Sequence, residues 1–403
     1  MSQFKTLDDL AGSVGDLTGK VALVRVDLNL PMSDGAVTDL ARARAVAPTI
    51  LELADAGAKV LLLAHFGRPK GERHSTMSLS MIQGAMEDVL GREIMFISEV
   101  AGPVVEQSLG ILRPGDIGLL ENTRFWPGEE KNDTQFAGAI AANGDFYVND
   151  AFSAAHRAHA STEGLAHLLP AFAGRAMQAE LEALDKALGN PEKPVAAVVG
   201  GAKVSTKLAV LEHLVSRVQH LIIGGGMANT FLAARGVGVG KSLCEHELTG
   251  QAEAIMEAAE RAGCTVHLPY DVVVAREFAA NPPSLRICNV HEVAADEMIL
   301  DVGPQAAEAL GDVLKTCRTL VWNGPLGAFE IAPFDAATVA LARTAAALTR
   351  EGSLASVAGG GDTVAALNQA GVTGDFSYVS NAGGAFLEWM EGRELPGVAA
   401  LGA

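Results

Sequence analysis

Along this chain short unbroken apolar runs alternate with longer stretches in which apolar residues recur every three or four positions and polar ones fill the gaps. The first pattern predicts strands and the second amphipathic helices, so their alternation predicts βαβ units feeding a mainly parallel sheet. In the first half the strand candidates are 21–26, 59–64, 116–120 and 146–149; in the second they are 195–199, 220–223, 265–268, 319–322 and 353–357. Between the two sets, residues 177–188 carry Leu181, Leu184 and Leu188 at helical spacing and end at Gly189-Asn190-Pro191, a stop signal. This segment reads as an interdomain helix. At 403 residues the chain exceeds what one core usually organises. The fold class is therefore α/β with two lobes, each a mainly parallel, doubly wound sheet flanked by helices.

Composition narrows the ligands. Hydrophobic residues make up 49% of the chain and the formal net charge is −18, with both halves acidic. No broad basic face is offered to duplex nucleic acid or to an anionic membrane, so an anionic ligand has to be held by a few clustered cations. The cysteines, Cys244, Cys264, Cys288 and Cys317, form no C-x-x-C pair, which argues against a zinc knuckle or disulfide framework and fits a reducing compartment. Asp8, Asp9 and Asp16 stand where a signal peptide would need apolar residues, and no apolar run approaches a membrane span. The expectation is a cytoplasmic protein.

Open α/β sheets bind ligands at the carboxyl ends of their strands, so the residues just past each run carry the chemistry. After 21–26 comes Asp27-Leu28-Asn29, with Arg42 at the start of the next helical stretch; after 59–64 comes His65-Phe66-Gly67-Arg68-Pro69. After 116–120 comes Glu121-Asn122-Thr123-Arg124, and past 146–149 lie Ser153, His156, Arg157 and His159. Any one of these arginines alone reads equally well as a surface salt bridge. Four of them at four strand ends point instead to a small ligand with more than one negative charge, because a guanidinium forks onto phosphate and carboxylate oxygens. His65 and His156 can donate to such an anion. His159 reads as a positional or capping residue, and no third metal ligand accompanies the two.

The second half places glycine clusters after strands: Gly200-Gly201-Ala202-Lys203, Gly224-Gly225-Gly226 and Gly359-Gly360-Gly361-Asp362-Thr363. One cluster alone would be read as a turn. Three of them, with helices following, point to a backbone that approaches phosphates closely. Lys203 and Lys207, four apart, are expected to share a helical face toward a di- or triphosphate, and Asp362 to hold Mg²⁺ beside it. Asn323 and Glu330, in the loop after 319–322, suit polar ribose or phosphate contacts. The Walker-like Gly236-Val237-Gly238-Val239-Gly240-Lys241-Ser242 is a decoy: position 235 is Arg, and the segment follows a helical stretch.

Taken in order, Val24-Arg25-Val26-Asp27-Leu28-Asn29-Leu30-Pro31, His65-Phe66-Gly67-Arg68-Pro69-Lys70-Gly71, Glu121-Asn122-Thr123-Arg124-Phe125, Asn149-Asp150-Ala151-Phe152, Gly200-Gly201-Ala202-Lys203-Val204-Ser205, Gly224-Gly225-Gly226-Met227-Ala228, Trp322-Asn323-Gly324-Pro325 and Gly359-Gly360-Gly361-Asp362-Thr363 resemble the phosphoglycerate kinase family over nearly the whole chain. The resemblance implies a triose-phosphate-binding domain (1–174), an interdomain helix (175–189), a nucleotide-binding domain (190–380) and a C-terminal segment (381–403) returning to the first domain. It implies phosphoryl transfer between 1,3-bisphosphoglycerate and MgADP, with 3-phosphoglycerate and MgATP as the other pair, in a monomer. Carried over by motif, Asp27, Asn29, Arg42, His65, Phe66, Gly67, Arg68, Arg124 and Arg157 are the triose-side residues. Lys203, Lys207, Gly224, Gly225, Gly226, Asn323, Glu330, Gly360, Gly361, Asp362 and Thr363 are the nucleotide-side residues, with Arg42, Lys203 and Gly361 acting on the transferring group. The chain departs from the family at Thr123, at Ser153-Ala154-Ala155 and at Asn381-Ala382, where a Cβ restricts the loop. Two rivals remain: another ATP-dependent carboxylate phosphotransferase, which leaves the four arginines unexplained, and a non-catalytic anion-binding protein of the same fold.

Overall fold

A computed structural model describes residues 4–402. The chain divides into two compact units, one formed by residues up to Leu181 together with those from Glu394 onward, the other by Glu182–Arg393.

The first unit is built on β1 (Val21–Val26), β2 (Lys59–Leu63), β3 (Ile94–Ile97), β4 (Ile117–Leu120), β5 (Phe146–Asp150) and β6 (Ala171–Ala173). All pair in parallel, in the order β3-β4-β2-β1-β5-β6. Both faces are covered, which is why the runs are continuously apolar rather than alternating. Val24 and Val26 pack with Val46, Ile50 and Leu53 of the helix Ala41–Asp55, whose apolar residues recur at one helical turn. Leu23, between them, points the other way to Leu61, Tyr147 and Ile140. The chain winds from β1 toward β3 and then crosses back to β5, so the direction reverses between β1 and β5.

The second unit contains β7 (Val195–Val199), β8 (His220–Ile223), β9 (Thr265–His267), β10 (Asp271–Ala275), β11 (Arg286–Asn289), β12 (Met298–Val302), β13 (Thr319–Asn323), β14 (Ala355–Gly359) and β15 (Tyr378–Ser380). Its parallel sheet has the order β9-β8-β7-β13-β14-β15, reversing between β7 and β13. A second, antiparallel sheet, β11-β10-β12, was not expected. An antiparallel ladder needs no crossover helix, so the rhythm that predicts βαβ units passes over it.

Strands β3, β6 and β15 were not among the expected ones, and several boundaries differ from expectation, most by a single residue. The strand predicted over 353–357 is displaced to Ala355–Gly359, because the Ser353 and Leu354 amides bond back to the Leu348 carbonyl at 3.0 and 3.3 Å and close the helix Ala336–Arg350. The interdomain helix is Arg175–Leu184 followed by one π turn, Asp185–Gly189, and the division between units falls inside the α-helical part. Residues 381–393 belong to the second unit, with the helix Gly384–Met390. Past Glu394 the chain joins the first unit: the Gly397 amide donates to the Ala155 carbonyl at 2.8 Å, and Ala400 enters the core beside Leu165. Among the described residues no helix is long and apolar enough to cross a membrane, and the four cysteines are free thiols.

Candidate active site

The reversal between β1 and β5 gathers most of the first unit's candidates. Asp27, just past β1, accepts from Arg42 Nη1 at 3.1–3.2 Å, from the Asn29 amide at 3.1 Å and, across the reversal, from Ser153 Oγ at 2.5 Å. Arg42 also donates to the Asn29 carbonyl at 3.1 Å, so the first turn of its helix is tied to the β1 loop and its guanidinium is aimed from there. The Asn29 side chain accepts the Gly67 amide at 3.0 Å, and Arg124 Nη1 donates to the Gly67 carbonyl at 2.9 Å. Phe66 is held through its amide by Asn122 Oδ1 at 3.2 Å. Asp27, Asn29, Arg42, Phe66, Gly67 and Arg124 therefore form one connected network. Arg68 stands exposed beside it, and Arg157 Nε donates to His156 Nε2 at 3.1 Å.

One cation was missed. Arg25 lies within β1 in an otherwise apolar run and reads there as part of the strand, yet its side chain, 1% exposed, bonds Ser161 Oγ at 2.9 Å and His65 Nδ1 at 2.8 Å. The signal was a charged residue inside a buried strand, which is rarely free of function or pairing. Glu129, fully buried, accepts from the Ser161 amide at 3.0 Å and from its hydroxyl at 2.5 Å, one link from the guanidinium. Burial, then the charges of Arg25, Arg124 and Arg157, hold the His65 imidazole well below its usual range. The same causes bring His159 down to about 4. Burial lowers Arg124 to about 10, so it remains a cation at neutral pH. The arrangement is a cluster of fixed positive charge with neutral histidines among it.

The reversal between β7 and β13 assembles the second set. Lys207 Nζ bridges the two strand ends, donating to the Gly200 carbonyl at 2.5 Å and the Asn323 carbonyl at 3.0 Å. Burial lowers its ammonium to about 8, with Asp362 pulling the other way. The expectation that Lys203 and Lys207 share a helical face is not met: the turn between them, Val204–Thr206, is a 3-10 helix. At three residues per turn, positions four apart diverge by about a third of a turn. Lys207 accordingly turns inward and Lys203 outward, where it is exposed.

Much of the glycine content serves contact between loops. A Cβ on Gly200 would stand 1.9 Å from the Pro325 carbonyl oxygen, one on Gly324 2.1 Å from the Gly200 carbonyl oxygen, and one on Gly225 2.6 Å from that of Gly201. Gly361 differs, since a Cβ there meets nothing within 4 Å. It begins the helix Gly361–Ala370, whose N-cap Gly360 has φ 98°, and it is exposed. Asp362 is exposed in that first turn. Thr363 is buried, accepting the Gly324 amide at 2.7 Å, and Asn323 Nδ2 donates to the Gly359 carbonyl at 2.7 Å.

These loops open onto a cavity of about 510 Å³, which Asp362 and Glu330 also line. Its far wall is apolar: Leu243, Phe278, Met298 and Leu300. That wall includes strand β12 of the antiparallel sheet, so the missed sheet is also the missed half of the cavity. Lys241, dismissed with the Walker-like decoy, lies on its edge without forming a P-loop. Among the described residues no group of three or more His, Cys, Asp or Glu side chains could hold a metal by itself. Asp362 is a single accessible carboxylate beside a helix N-terminus, which fits Mg²⁺ bound chiefly through nucleotide phosphates and water.

Comparison with known proteins follows the same outline. The family model described as phosphoglycerate kinase matches residues 11–393. Phosphoglycerate kinase of Sphingopyxis alaskensis is 72% identical over 403 residues, covering all of both chains, and that of Novosphingobium aromaticivorans is 73% identical over 398 residues, covering 99% of each. Among solved structures, phosphoglycerate kinase from Coxiella burnetii superposes with a TM-score of 0.91 at 40% identity over 99% of both chains. That from Pyrococcus horikoshii gives 0.80 at 30% identity over 98% of both.

Proposed function

The chain belongs to the phosphoglycerate kinase family, and from that premise we propose that it moves a phosphoryl group reversibly from 1,3-bisphosphoglycerate to MgADP, yielding 3-phosphoglycerate and MgATP. The observation that carries the site assignment is the contrast between the two sheet reversals: one ringed by guanidinium groups, the other by glycine loops, Lys207 and Asp362 over a cavity. The triose phosphate occupies the first, where Arg25, Arg124 and Arg157 supply fixed charge and His65 donates a neutral hydrogen bond. The nucleotide occupies the second, its phosphates toward Gly361, Asp362 and the lysines.

Arg42, tied to Asp27, is held in one orientation and stabilises the charge that spreads over the transferring group. Lys203 approaches the same group from the nucleotide side, and the Gly361 amide donates to it. Asp362 holds Mg²⁺, which neutralises charge on the nucleotide phosphates. The enzyme is read as a cytoplasmic monomer. Formation of ATP from ADP and enzymatically generated 1,3-bisphosphoglycerate by the purified chain is the direct test, and no ATP from correctly folded protein would sink the reading. Asp362→Asn should weaken productive MgATP use far more than triose binding, visible as an altered Mg²⁺ dependence.

A further inference from the structure

A carboxylate with no access to solvent lies one hydroxyl away from Arg25. It belongs to Glu129, in the short helical turn Pro127–Glu130. The next residue, Glu130, pairs with Arg124 at 3.2 Å, whereas Glu129 turns toward the segment 159–162. Its Oε2 accepts the Ser161 amide at 3.0 Å, and its Oε1 accepts the Ser161 hydroxyl at 2.5 Å and the Thr123 hydroxyl at 3.2 Å. Tyr147 holds the same segment by its carbonyls, its hydroxyl donating to those of Ser161 and Thr162 at 2.8 and 3.1 Å. Chemistry fixes the direction of the bonds at Ser161. Arg25 Nε can only donate, so Ser161 Oγ accepts from it at 2.9 Å and gives its one hydrogen to Glu129. The same guanidinium donates through Nη1 to the Val26 carbonyl and through Nη2 to His65 Nδ1 at 2.8 Å. Because a guanidinium is planar, anchoring Nε and Nη1 sets where Nη2 points.

We propose that Glu129 is a positioning residue for the triose site: through Ser161 it fixes the plane of the Arg25 guanidinium, which in turn keeps the proton of His65 on Nε2, the nitrogen left to meet an anion. The inference rests on placing the triose phosphate beside His65. Glu129, Ser161, Arg25 and His65 are all buried, so water offers no substitute for a bond lost among them. If Ser161 ceased to accept, Arg25 Nε would be a buried donor left over, which costs more than the bond itself contributes, and the guanidinium would turn to relieve it. His65 Nδ1 would then be free to carry the proton. A carboxylate that served only to balance the charge of the arginines would behave differently: its removal would cost stability and leave the imidazole tautomer untouched.

Glu129→Gln keeps the shape of the side chain but sets an amide NH2 among the donors of Ser161 and Thr123, which breaks the line at Ser161. The ring nitrogen shifts of His65, assigned by their loss in His65→Gln, are read by NMR at neutral pH. The unmodified enzyme should show the Nε2–H form and Glu129→Gln a mixture of both tautomers. In the variant the KM for 3-phosphoglycerate should rise about tenfold while kcat stays within about twofold of wild type. Ser161→Ala breaks the same line without touching the carboxylate, should have the same effects, and decides the matter if Glu129→Gln does not fold. The Nε2–H form kept in the folded variant, or absent from the unmodified enzyme, overturns the proposal whatever the KM. A mixture of tautomers with an unchanged KM for 3-phosphoglycerate leaves Glu129 its hold on His65 and removes the triose phosphate from beside that ring, so the placement fails instead.

Discussion

Arg42 and His65 illustrate how one ligand can be met by groups of opposite electrostatic habit. Arg42 carries a permanent charge, and its bonds to Asp27 and the Asn29 carbonyl spend part of its donor set on orientation, leaving the rest for the transferring group. Arg42→Ala is therefore expected to lower kcat by on the order of 10³. A kcat near wild type with only the triose KM raised would mean that the residue binds rather than catalyses. His65 is the reverse case. Arg25 is always a donor, so His65 Nδ1 accepts from it and the proton sits on Nε2, facing away. Because burial and the neighbouring arginines hold its pKa well below the usual value, the ring is neutral at neutral pH, and triose affinity has no step near pH 6.5 from this residue. The folded chain refuses a proton that the unfolded chain accepts, so its contribution to stability is complete above about pH 6.5 and is lost as pH falls toward the depressed value. Carbon shifts of the ring followed by NMR against pH test this, and a midpoint near 6.5 would refute it.

At the level of elements, the central parallel strands were legible because burial on both faces writes them as continuous apolar runs, and the arginines because they follow those runs; the outer strands β3, β6 and β15, only three or four residues long, were not read. What escaped had physical reasons. Arg25 is hidden inside a strand whose partners, Ser161 and His65, are far away in sequence. The antiparallel sheet carries no helical interval to announce it. At two of the departures the side chain is bonded within the site, Thr123 Oγ1 donating to Glu129 at 3.2 Å and Ser153 Oγ to Asp27. At Asn381-Ala382 the positive φ of 45° falls on Gly383, not on Ala382. The glycine clusters mislead in part, since the residues that look alike divide into two kinds. Gly200→Ala drives a Cβ into the Pro325 carbonyl, a backbone clash costing roughly 3 kcal/mol or more, which for a unit of this size lowers Tm by about 6 °C or more. Gly361→Ala meets open space and should melt within about 2 °C of wild type while raising the KM for MgATP. Calorimetry and steady-state kinetics on the pair decide it. Equal losses of Tm would show that both glycines are structural.

For the whole molecule, the assignment of triose to one compact unit and nucleotide to the other carries a mechanical requirement. In-line transfer needs the attacking carboxylate oxygen and the γ-phosphorus a few ångströms apart with water excluded, since water would otherwise take the phosphoryl group. The segment between the units combines the α-helix Arg175–Leu184 with the π turn Asp185–Gly189, and the division of the chain falls inside it. A π turn interrupts the regular hydrogen-bond ladder and is a common place for a helix to change direction. The hypothesis is that binding both substrates closes the units about this segment, bringing Arg42 and Lys203 to opposite sides of one phosphoryl group. A single substrate touches one unit, has little differential affinity for the closed arrangement and so shifts the balance less. Solution scattering from the free, singly liganded and doubly liganded enzyme should therefore show a radius of gyration that falls chiefly in the last state. The same radius in all four states of an enzyme that turns over would mean that the reacting groups already meet without motion, and the segment 175–189 would then be a connector rather than a hinge.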